Sequence, residues 1–93
     1  MRDPRPDLRE DAVHWSRLLA LAGDVSRDLV MVLNGFRCLG VRLDVRDGKA
    51  RLLPGDCEDY YALRDQWLLP YRRTLTALLQ RVAESARETI GVR

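Results

Sequence analysis

The residues that could perform catalysis are few and scattered along the chain. His14 is the single histidine among 93 residues, and its neighbours three and four positions away on a helix include no nucleophile. The glycines match neither a phosphate-binding loop nor a dinucleotide-binding fingerprint. We therefore expect a protein that is not an enzyme and that uses no cofactor.

Metal binding has one candidate in an acidic group. Asp56, Glu58 and Asp59 could hold a divalent cation, but carboxylates at the start of a helix are explained more simply by capping and by the helix dipole. Cys38 and Cys57 lie far apart, and with a single histidine they do not make a closed zinc site. We expect no metal site, and we expect both cysteines to be buried as small apolar residues.

Positively charged side chains recur in one segment with a two-residue period. Between positions 41 and 53, apolar residues alternate with charged ones, which is typical of strands with one buried face. Asp47-Gly48 in the middle predicts a two-residue type I′ turn, because both positions of that turn need positive φ. The turn sets the register of the hairpin. The pairs predicted on its apolar face are Val45 with Ala50 and Leu43 with Leu52.

The other face of this hairpin is the main candidate binding site. It carries four cations against one nearby carboxylate, with Asp47 at the tip. Such a face can capture an acidic peptide or a phosphate backbone, although an ordinary solvated strand face has the same composition. The candidate partner-binding residues are Arg42, Asp44, Arg46, Lys49 and Arg51.

A second basic group in the last third of the chain offers alternative phosphate contacts. It consists of Arg72, Arg73 and Arg81, and nearby aromatic residues could stack on bases. Aromatic residues at helical spacing are more often core, and we expect Trp67 to be core. Arginine supplies 15 of the 16 basic residues, which indicates either recognition of phosphates and carboxylates or simply a GC-rich genome.

Two helices are predicted before the hairpin. Asp7 is a suitable N-cap with Glu10 three residues later. Gly23 is expected to end this helix, Asp24 to cap a second one, and Gly40 to end that one. The predicted inner stripes are Leu8, Ala12, Trp15, Leu19 and Ala22 on the first helix and Val25, Leu29, Val32, Leu33 and Phe36 on the second.

Two further helices are predicted after the hairpin. Asp56 is expected to cap the third, and Pro70 to break or kink the chain, because proline lacks a backbone N–H. The fold class is therefore α+β and mainly helical, in the order ααββαα, with one short antiparallel β-hairpin packed on four helices. The predicted inner faces are Tyr60, Leu63 and Trp67 on the third helix and Tyr71, Leu75, Leu78, Leu79, Val82 and Ala86 on the fourth.

Length and composition place these elements in one domain. Ninety-three residues, 46% hydrophobic and 32% charged, suit a single globular domain, with a flexible arm at 1–6, an N-terminal helix at 7–22 and the remaining elements at 24–88. The net charge of +2 is too small to indicate a nucleic-acid or membrane-surface protein by itself. Neither a signal-peptide pattern nor an apolar run near the ~20 residues of a membrane span is present, so we expect a cytoplasmic location.

Three phrases of the sequence carry a resemblance to a known family. They are Cys38-Leu39-Gly40-Val41-Arg42-Leu43, Gly48-Lys49-Ala50-Arg51-Leu52 and Leu75-Thr76-Ala77-Leu78-Leu79. Over about half of the chain, from Leu29 to Leu79, the sequence resembles the N-terminal docking domains of the tubulysin type, found on nonribosomal peptide synthetases and hybrid synthetases. The helix at 7–22 and the acidic, aromatic segment at 56–67 depart from that pattern.

The resemblance implies both a fold and a mode of binding. It implies an ααββαα homodimer whose exposed hairpin receives the acidic C-terminal tail of an upstream subunit. The cations Arg42, Arg46, Lys49 and Arg51 then fall where that peptide would lie. Small domains of this kind also accompany replication and mobile-element proteins, so the fold can be shared without the docking role.

Two functions follow from these observations. The first is a non-catalytic docking or adaptor module that binds a protein or an acidic peptide segment along the basic face of the hairpin. The alternative is a small DNA-associated accessory protein from a replication or mobile-element locus, in which the hairpin is a wing and the second basic group contacts phosphates. Because the net charge is low for a DNA-binding protein, nucleic acid is the less favoured partner, and no membrane is expected.

Self-association is predicted from the apolar residues on both flanks of the first and fourth helices. A stripe much wider than ~100° on a helix indicates burial on two sides, and a domain of this size gains stability from a second copy. We therefore expect a two-fold symmetric homodimer with helical contacts that leaves the basic face open. The residues that carry this expectation are Leu18, Leu21, Leu75 and Leu79.

Overall fold

The computed structural model describes the backbone of residues 8–91 and the side chains of residues 11–86. The mainly helical α+β fold with one antiparallel hairpin is confirmed. The arm predicted at 1–6, the predicted cap Asp7 and the side chain of Glu10 lie outside the described residues. The elements are α1 (Leu8–Gly23), α2 (Arg27–Cys38), β1 (Arg42–Arg46), β2 (Lys49–Leu53), α3 (Tyr60–Leu63), a π-helical turn (Arg64–Leu68), a 3-10 turn (Leu69–Tyr71) and α4 (Arg72–Gly91).

The start of α2 differs from the prediction by two residues. The backbone N–H groups of Val25 and Ser26 donate to the carbonyl of Ala22 at 3.0 and 2.8 Å, so the chain stays turned past Asp24. The N-cap is therefore Ser26, whose hydroxyl accepts from the N–H of Leu29 at 3.3 Å. The predicted cap at Asp24 is wrong, and Val25, which precedes the helix, is 59% exposed instead of packed in its stripe.

The end of α2 is set by Gly40, as predicted. Gly40 has φ of +96°, and its N–H donates to the Arg37 carbonyl at 3.1 Å. The N–H of Val41 donates to the Phe36 carbonyl, also at 3.1 Å. These two bonds form a Schellman motif. Because Val41 and Phe36 are both buried, the motif also anchors the first residue of the hairpin segment in the core.

The hairpin has the predicted turn and register. Asp47 and Gly48 have φ of +54° and +72°, as a type I′ turn requires. Val45 pairs with Ala50 and Leu43 with Leu52, and these residues belong to or pack against the core. On the opposite face, the pairs are Asp44 with Arg51 and Arg46 with Lys49.

The two ends of the hairpin meet at a close backbone contact beside the end of α2. The N–H of Asp56 donates to the carbonyl of Gly40 at 3.2 Å. Gly55 has φ of +57°, and a Cβ on it would lie only 2.1 Å from that same carbonyl oxygen. No other residue fits without moving the backbone, so glycine at position 55 is what allows the end of the hairpin to approach the end of α2.

The helical part after the hairpin begins later than predicted and is not broken at Pro70. Asp59, not Asp56, occupies the N-cap position of α3, without a side-chain capping hydrogen bond. The chain then changes its winding through the π-helical and 3-10 turns, and the residues at the junctions keep right-handed helical dihedral angles. Pro70 lies near the start of the 3-10 turn. The chain accommodates the missing N–H of Pro70 by a change of winding, and the helical segment does not end there.

The core joins residues from the helices, the hairpin and the π-helical turn. On α1 the buried face is shifted by one residue from the predicted stripe, because Leu18 is fully buried and Leu19 only partly buried. On α4 the predicted stripe is confirmed in part: Leu75, Leu78 and Val82 are buried, whereas Leu79 and Ala86 are partly buried. Ala83, which was not predicted, is also buried. The buried cluster contains Trp15, Leu18, Ala22, Leu29, Leu33, Phe36, Val41, Leu43, Cys57, Tyr60, Leu68, Leu75, Leu78 and Val82.

Candidate protein-binding surface on the hairpin

Asp44 is the centre of the polar face of the hairpin. Its side chain is only 9% exposed. The Nε of Arg46 donates to its Oδ1 at 3.0 Å, and a terminal nitrogen of Arg51 lies 3.6 Å from its Oδ2. The side chains of Arg46 and Arg51 remain 65% and 62% exposed. One carboxylate therefore orients two guanidinium groups whose other N–H donors face the solvent.

Arg42 is set apart from this pair. Its Nε lies 3.3 Å from Oδ1 of Asp11, and its side chain is 20% exposed. The same Asp11 oxygen accepts from the backbone N–H of Leu43 at 2.8 Å. Asp11 thus attaches the start of α1 to β1, and Arg42 belongs to that attachment more than to the open face. The contact joins residues far apart in sequence, and no local pattern indicates it.

The polar face of the hairpin carries less positive charge than the hairpin residues alone would give it, because α1 adds a carboxylate. Its four cations are opposed by Asp44, by Asp47 at the turn and by Asp11 from α1, which leaves a formal charge of +1. Lys49 is exposed and pairs with Arg46 across the strands. The exposed positive groups are therefore concentrated at Arg46, Lys49 and Arg51, near the turn.

Both outer edges of the hairpin have contacts within the chain. Asp11 accepts from the N–H of Leu43 on β1, and the hydroxyl of Tyr60 donates to the carbonyl of Leu52 on β2 at 3.3 Å. A partner strand added at either edge would have to displace one of these contacts. The geometry thus favours recognition by side chains over addition of a third strand.

Tyr60 is the buried aromatic residue beside the hairpin. It packs edge-on against Phe36 at a centroid distance of 6.2 Å and against Tyr61 at 5.0 Å. Burial raises the pKa of its hydroxyl above the ordinary value, and the nearby Arg64 partly opposes this effect. The guanidinium of Arg64 also lies 5.2 Å from the centre of the Tyr61 ring. Tyr60 is therefore a structural hydrogen-bond donor, not a stacking surface for bases.

The second basic group does not form one surface. Arg72 lines a groove with Arg64 and Leu69, whereas Arg81 lines a different groove with Arg17. Arg72 and Arg81 are nine residues apart on α4, which places them on opposite sides of an α-helix about 13 Å apart along its axis. Arg73 is exposed between them.

Trp67 and Cys38 are exposed, and both predictions of burial are wrong. Trp67 is 51% exposed, and Leu68 takes the inward position. The reason is the π-helical turn, which holds one residue more than an α-helical turn and so shifts the inner face by one residue. Cys38 lies on the solvent side of the last turn of α2, whereas Cys57 is buried, and neither forms a disulfide.

Metal sites and membrane spans are not found within the part of the chain that the structure describes. It has no cluster of three or more histidine, cysteine, aspartate or glutamate side chains able to hold a metal ion. Within the same residues, no helix combines the length and apolar character needed to cross a bilayer.

An apolar groove on the other side of α2 was not anticipated. It has a volume of about 280 Å³ and lies between α2 and the α3–π-helical segment. Met31 is 68% exposed, and Leu39 and Trp67 are each 51% exposed. The sequence does hold a signal for it, because Met31, Gly35 and Leu39 recur every four residues beside the buried stripe of α2.

Comparisons of this chain with protein-family models, with curated proteins and with solved structures found no match.

Proposed function

We propose that this chain is a non-catalytic docking module that binds an acidic segment of a partner protein on the face formed by Arg46, Lys49 and Arg51. The observation that carries the proposal is the position of Asp44, which holds two largely exposed guanidinium groups side by side. Charge-assisted hydrogen bonds to carboxylates are strongest when the donors are oriented in advance. Arg42 is not part of this face, because its guanidinium group is paired with Asp11.

The resemblance to synthetase docking domains supports the proposal on separate grounds. In the family that the sequence resembles, the corresponding hairpin receives an acidic C-terminal tail. Because both outer edges of the hairpin already have contacts within the chain, the proposed binding mode is across the side chains of the polar face rather than along an edge. The partner is then recognised by its carboxylates, and its affinity depends strongly on salt.

The test compares two variants that change the net charge equally. Arg46→Glu with Arg51→Glu, and Arg73→Glu with Arg81→Glu, each replace two positive residues by two negative ones and move the net charge from +2 to −2. The probe is a fluorescein-labelled synthetic peptide rich in Asp and Glu, followed by fluorescence anisotropy. We expect the hairpin variant to bind at least tenfold more weakly, because two attractive contacts become repulsive. The α4 variant should keep most of the binding.

A second measurement guards against loss of folding. Arg46→Gln with Arg51→Gln removes both charges without repelling Asp44, and thermal unfolding of each variant shows whether the hairpin remains formed. Capture of proteins from the native cell should recover the same partner with the wild type and the α4 variant only. Equal binding by wild type and both hairpin variants would remove this face from the mechanism.

The DNA-binding alternative makes a different prediction for the same proteins. If the second basic group contacts phosphates, the variant with Arg73→Glu and Arg81→Glu should lose binding in an electrophoretic mobility shift at ~50 mM salt, where non-specific binding is strong. The dispersed positions of Arg72 and Arg81 do not favour this alternative. We expect no shift with the wild type under these conditions.

We also propose that the module works as a homodimer. The residues first expected to form the contact do not all support it, because Leu18 and Leu75 are buried within one chain and Leu21 and Leu79 are partly buried. Leu18 and Leu75 are therefore not available for a contact between copies. Light scattering after size exclusion should give twice the chain mass of 10.7 kDa, and a monomer at all accessible concentrations would refute the homodimer.

A further inference from the structure

The apolar groove contains a glycine, Gly35, that neither its backbone conformation nor its packing against the described residues requires. Gly35 lies inside α2, where glycine is less favourable than alanine. A Cβ on Gly35 would meet no atom within 4 Å, and its φ is not in the left-handed region. A glycine at this point leaves room for the close approach of a second backbone.

The residues around Gly35 complement one another under a two-fold axis. Met31 lies one turn before Gly35 and Leu39 one turn after it. A second copy of α2 that crosses antiparallel at Gly35 would therefore place Met31 against the partner's Leu39, and Leu39 against the partner's Met31. Trp67, carried outwards by the π-helical turn, stands beside this contact in the same groove.

The helix dipoles of two α2 helices also suit an antiparallel contact. Asp56 packs beside Gly40 at the C-terminal end of α2, and Glu58 is exposed nearby. The other end of α2 carries Arg27, which is exposed, and the positive end of the helix dipole. Asp28 reduces this positive charge but does not cancel the dipole. Arg37 in the last turn of α2 adds a positive charge at the C-terminal end, and exposed Asp24 adds a negative charge near the N-terminal end. The helix dipoles, more than the side-chain charges, therefore favour the antiparallel arrangement.

The area available matches a weak symmetric dimer. The exposed parts of Met31, Leu39 and Trp67 amount to roughly 350 Å² of apolar surface in one copy. Two copies therefore supply roughly 700 Å² of apolar contact, and with a polar rim this approaches the ~1,200 Å² of the smallest specific interfaces. A dimer of this size should dissociate on dilution.

We propose that two copies of this chain associate through the groove, with their α2 helices crossing antiparallel at Gly35. This inference rests on the homodimer proposed above and names the surface that forms it. The hairpin is not part of the contact, so each copy presents its own polar face to a partner.

The first test measures dimerisation by analytical ultracentrifugation between about 1 and 200 μM. Gly35→Leu places a large side chain at the crossing point and should weaken the dimer at least tenfold, while its melting temperature as a monomer is unchanged or higher because leucine favours the helix. Asn34→Leu is the matched control, since Asn34 is exposed on the same helix about 100° from the line of Met31, Gly35 and Leu39. Equal dissociation constants for the two variants would overturn the proposal, as would a monomeric wild type.

The second test uses Cys38 as a position-specific probe. Cys38 is exposed and Cys57 is buried, so a maleimide reagent reacts with Cys38 in the folded protein. In the antiparallel pair the two Cys38 residues are about 9 Å apart along the helix axes, and a flexible bismaleimide should join them. Covalent dimer should form with the wild type and with Asn34→Leu, but not with Gly35→Leu; equal yields for all three would contradict the contact.

Peptide binding separates this proposal from the docking function. Acidic-peptide anisotropy with Gly35→Leu should equal that of the wild type, because the polar face lies outside the contact. Loss of dimerisation with intact peptide binding supports the groove as the self-association surface. Failure of peptide binding in the wild type refutes only the docking function, because sedimentation reads out the dimer independently.

Discussion

Replacing Gly55 by alanine should be among the most damaging small changes in this chain. Alanine at φ of +57° incurs about 1–2 kcal/mol for the left-handed conformation. Its Cβ would also lie 2.1 Å from the Gly40 carbonyl oxygen, so the backbone must shift and the hydrogen bond from the Asp56 N–H is lost, at about 1 kcal/mol. We expect a total loss of about 2–3 kcal/mol in the free energy of unfolding.

Gly48→Ala is the matched control, because Gly48 also has positive φ, of +72°, but a Cβ on it meets nothing within 4 Å. It should lose only the conformational part, about 1–2 kcal/mol. In urea unfolding followed by circular dichroism, Gly55→Ala should therefore lose at least 1 kcal/mol more than Gly48→Ala. For a domain of this size the additional loss corresponds to a melting temperature lower by about 4–8 °C per kcal/mol. Equal losses for both variants would refute the close contact at Gly40.

Three further predictions address the hairpin and the aromatic residues. Asp44→Asn raises the net charge by one, yet it should weaken binding of the acidic peptide several-fold in fluorescence anisotropy, because the two arginines lose their common anchor; stronger binding would show that net charge alone matters. Burial raises the pKa of Tyr60 in the folded state above its ordinary value of 10.0. The contribution of this group to the free energy of unfolding is therefore fully present below about pH 10 and is lost as the pH rises through the raised pKa. Tyr60→Phe should flatten this fall in pH-dependent urea unfolding, and should cost about 1 kcal/mol at neutral pH through the lost hydrogen bond to Leu52. Trp15→Ala should lower the free energy of unfolding by about 3–5 kcal/mol because Trp15 is fully buried, whereas Trp67→Ala should lower it by under about 1 kcal/mol. Trp67→Ala should also remove most of the fluorescence that acrylamide quenches. Equal quenching of the two single-tryptophan variants would contradict the exposure of Trp67.

The features that were predicted correctly depend on interactions between residues close in sequence. The type I′ turn at Asp47-Gly48 and its register require only the turn residues and a two-residue alternation. The end of α2 at Gly40 requires only a residue that tolerates positive φ after a helical stripe. Such signals are complete within about ten residues, so the sequence alone is sufficient to predict them.

The errors at element boundaries arise where two local signals compete. Asp24 and Ser26 are both good capping residues, and the tertiary position of Ala22 and Leu29 in the core selects Ser26. Pro70 indicates a break, but the buried leucines on either side keep the chain helical, and the winding adjusts instead. That adjustment moves Leu68 inwards and exposes Trp67, which no α-helical period could show.

The candidate site divides in the same way. Local alternation determined that Asp44, Arg46, Lys49 and Arg51 share one solvent-facing side of a hairpin. The tertiary structure decided that Asp11, from a helix 31 residues before Arg42 in sequence, takes Arg42 away from that face and lowers its charge. It also decided that α2 has more apolar surface than one core covers. Charge balance and groove formation depend on which distant segments meet, and a sequence pattern describes only the residues along a single segment.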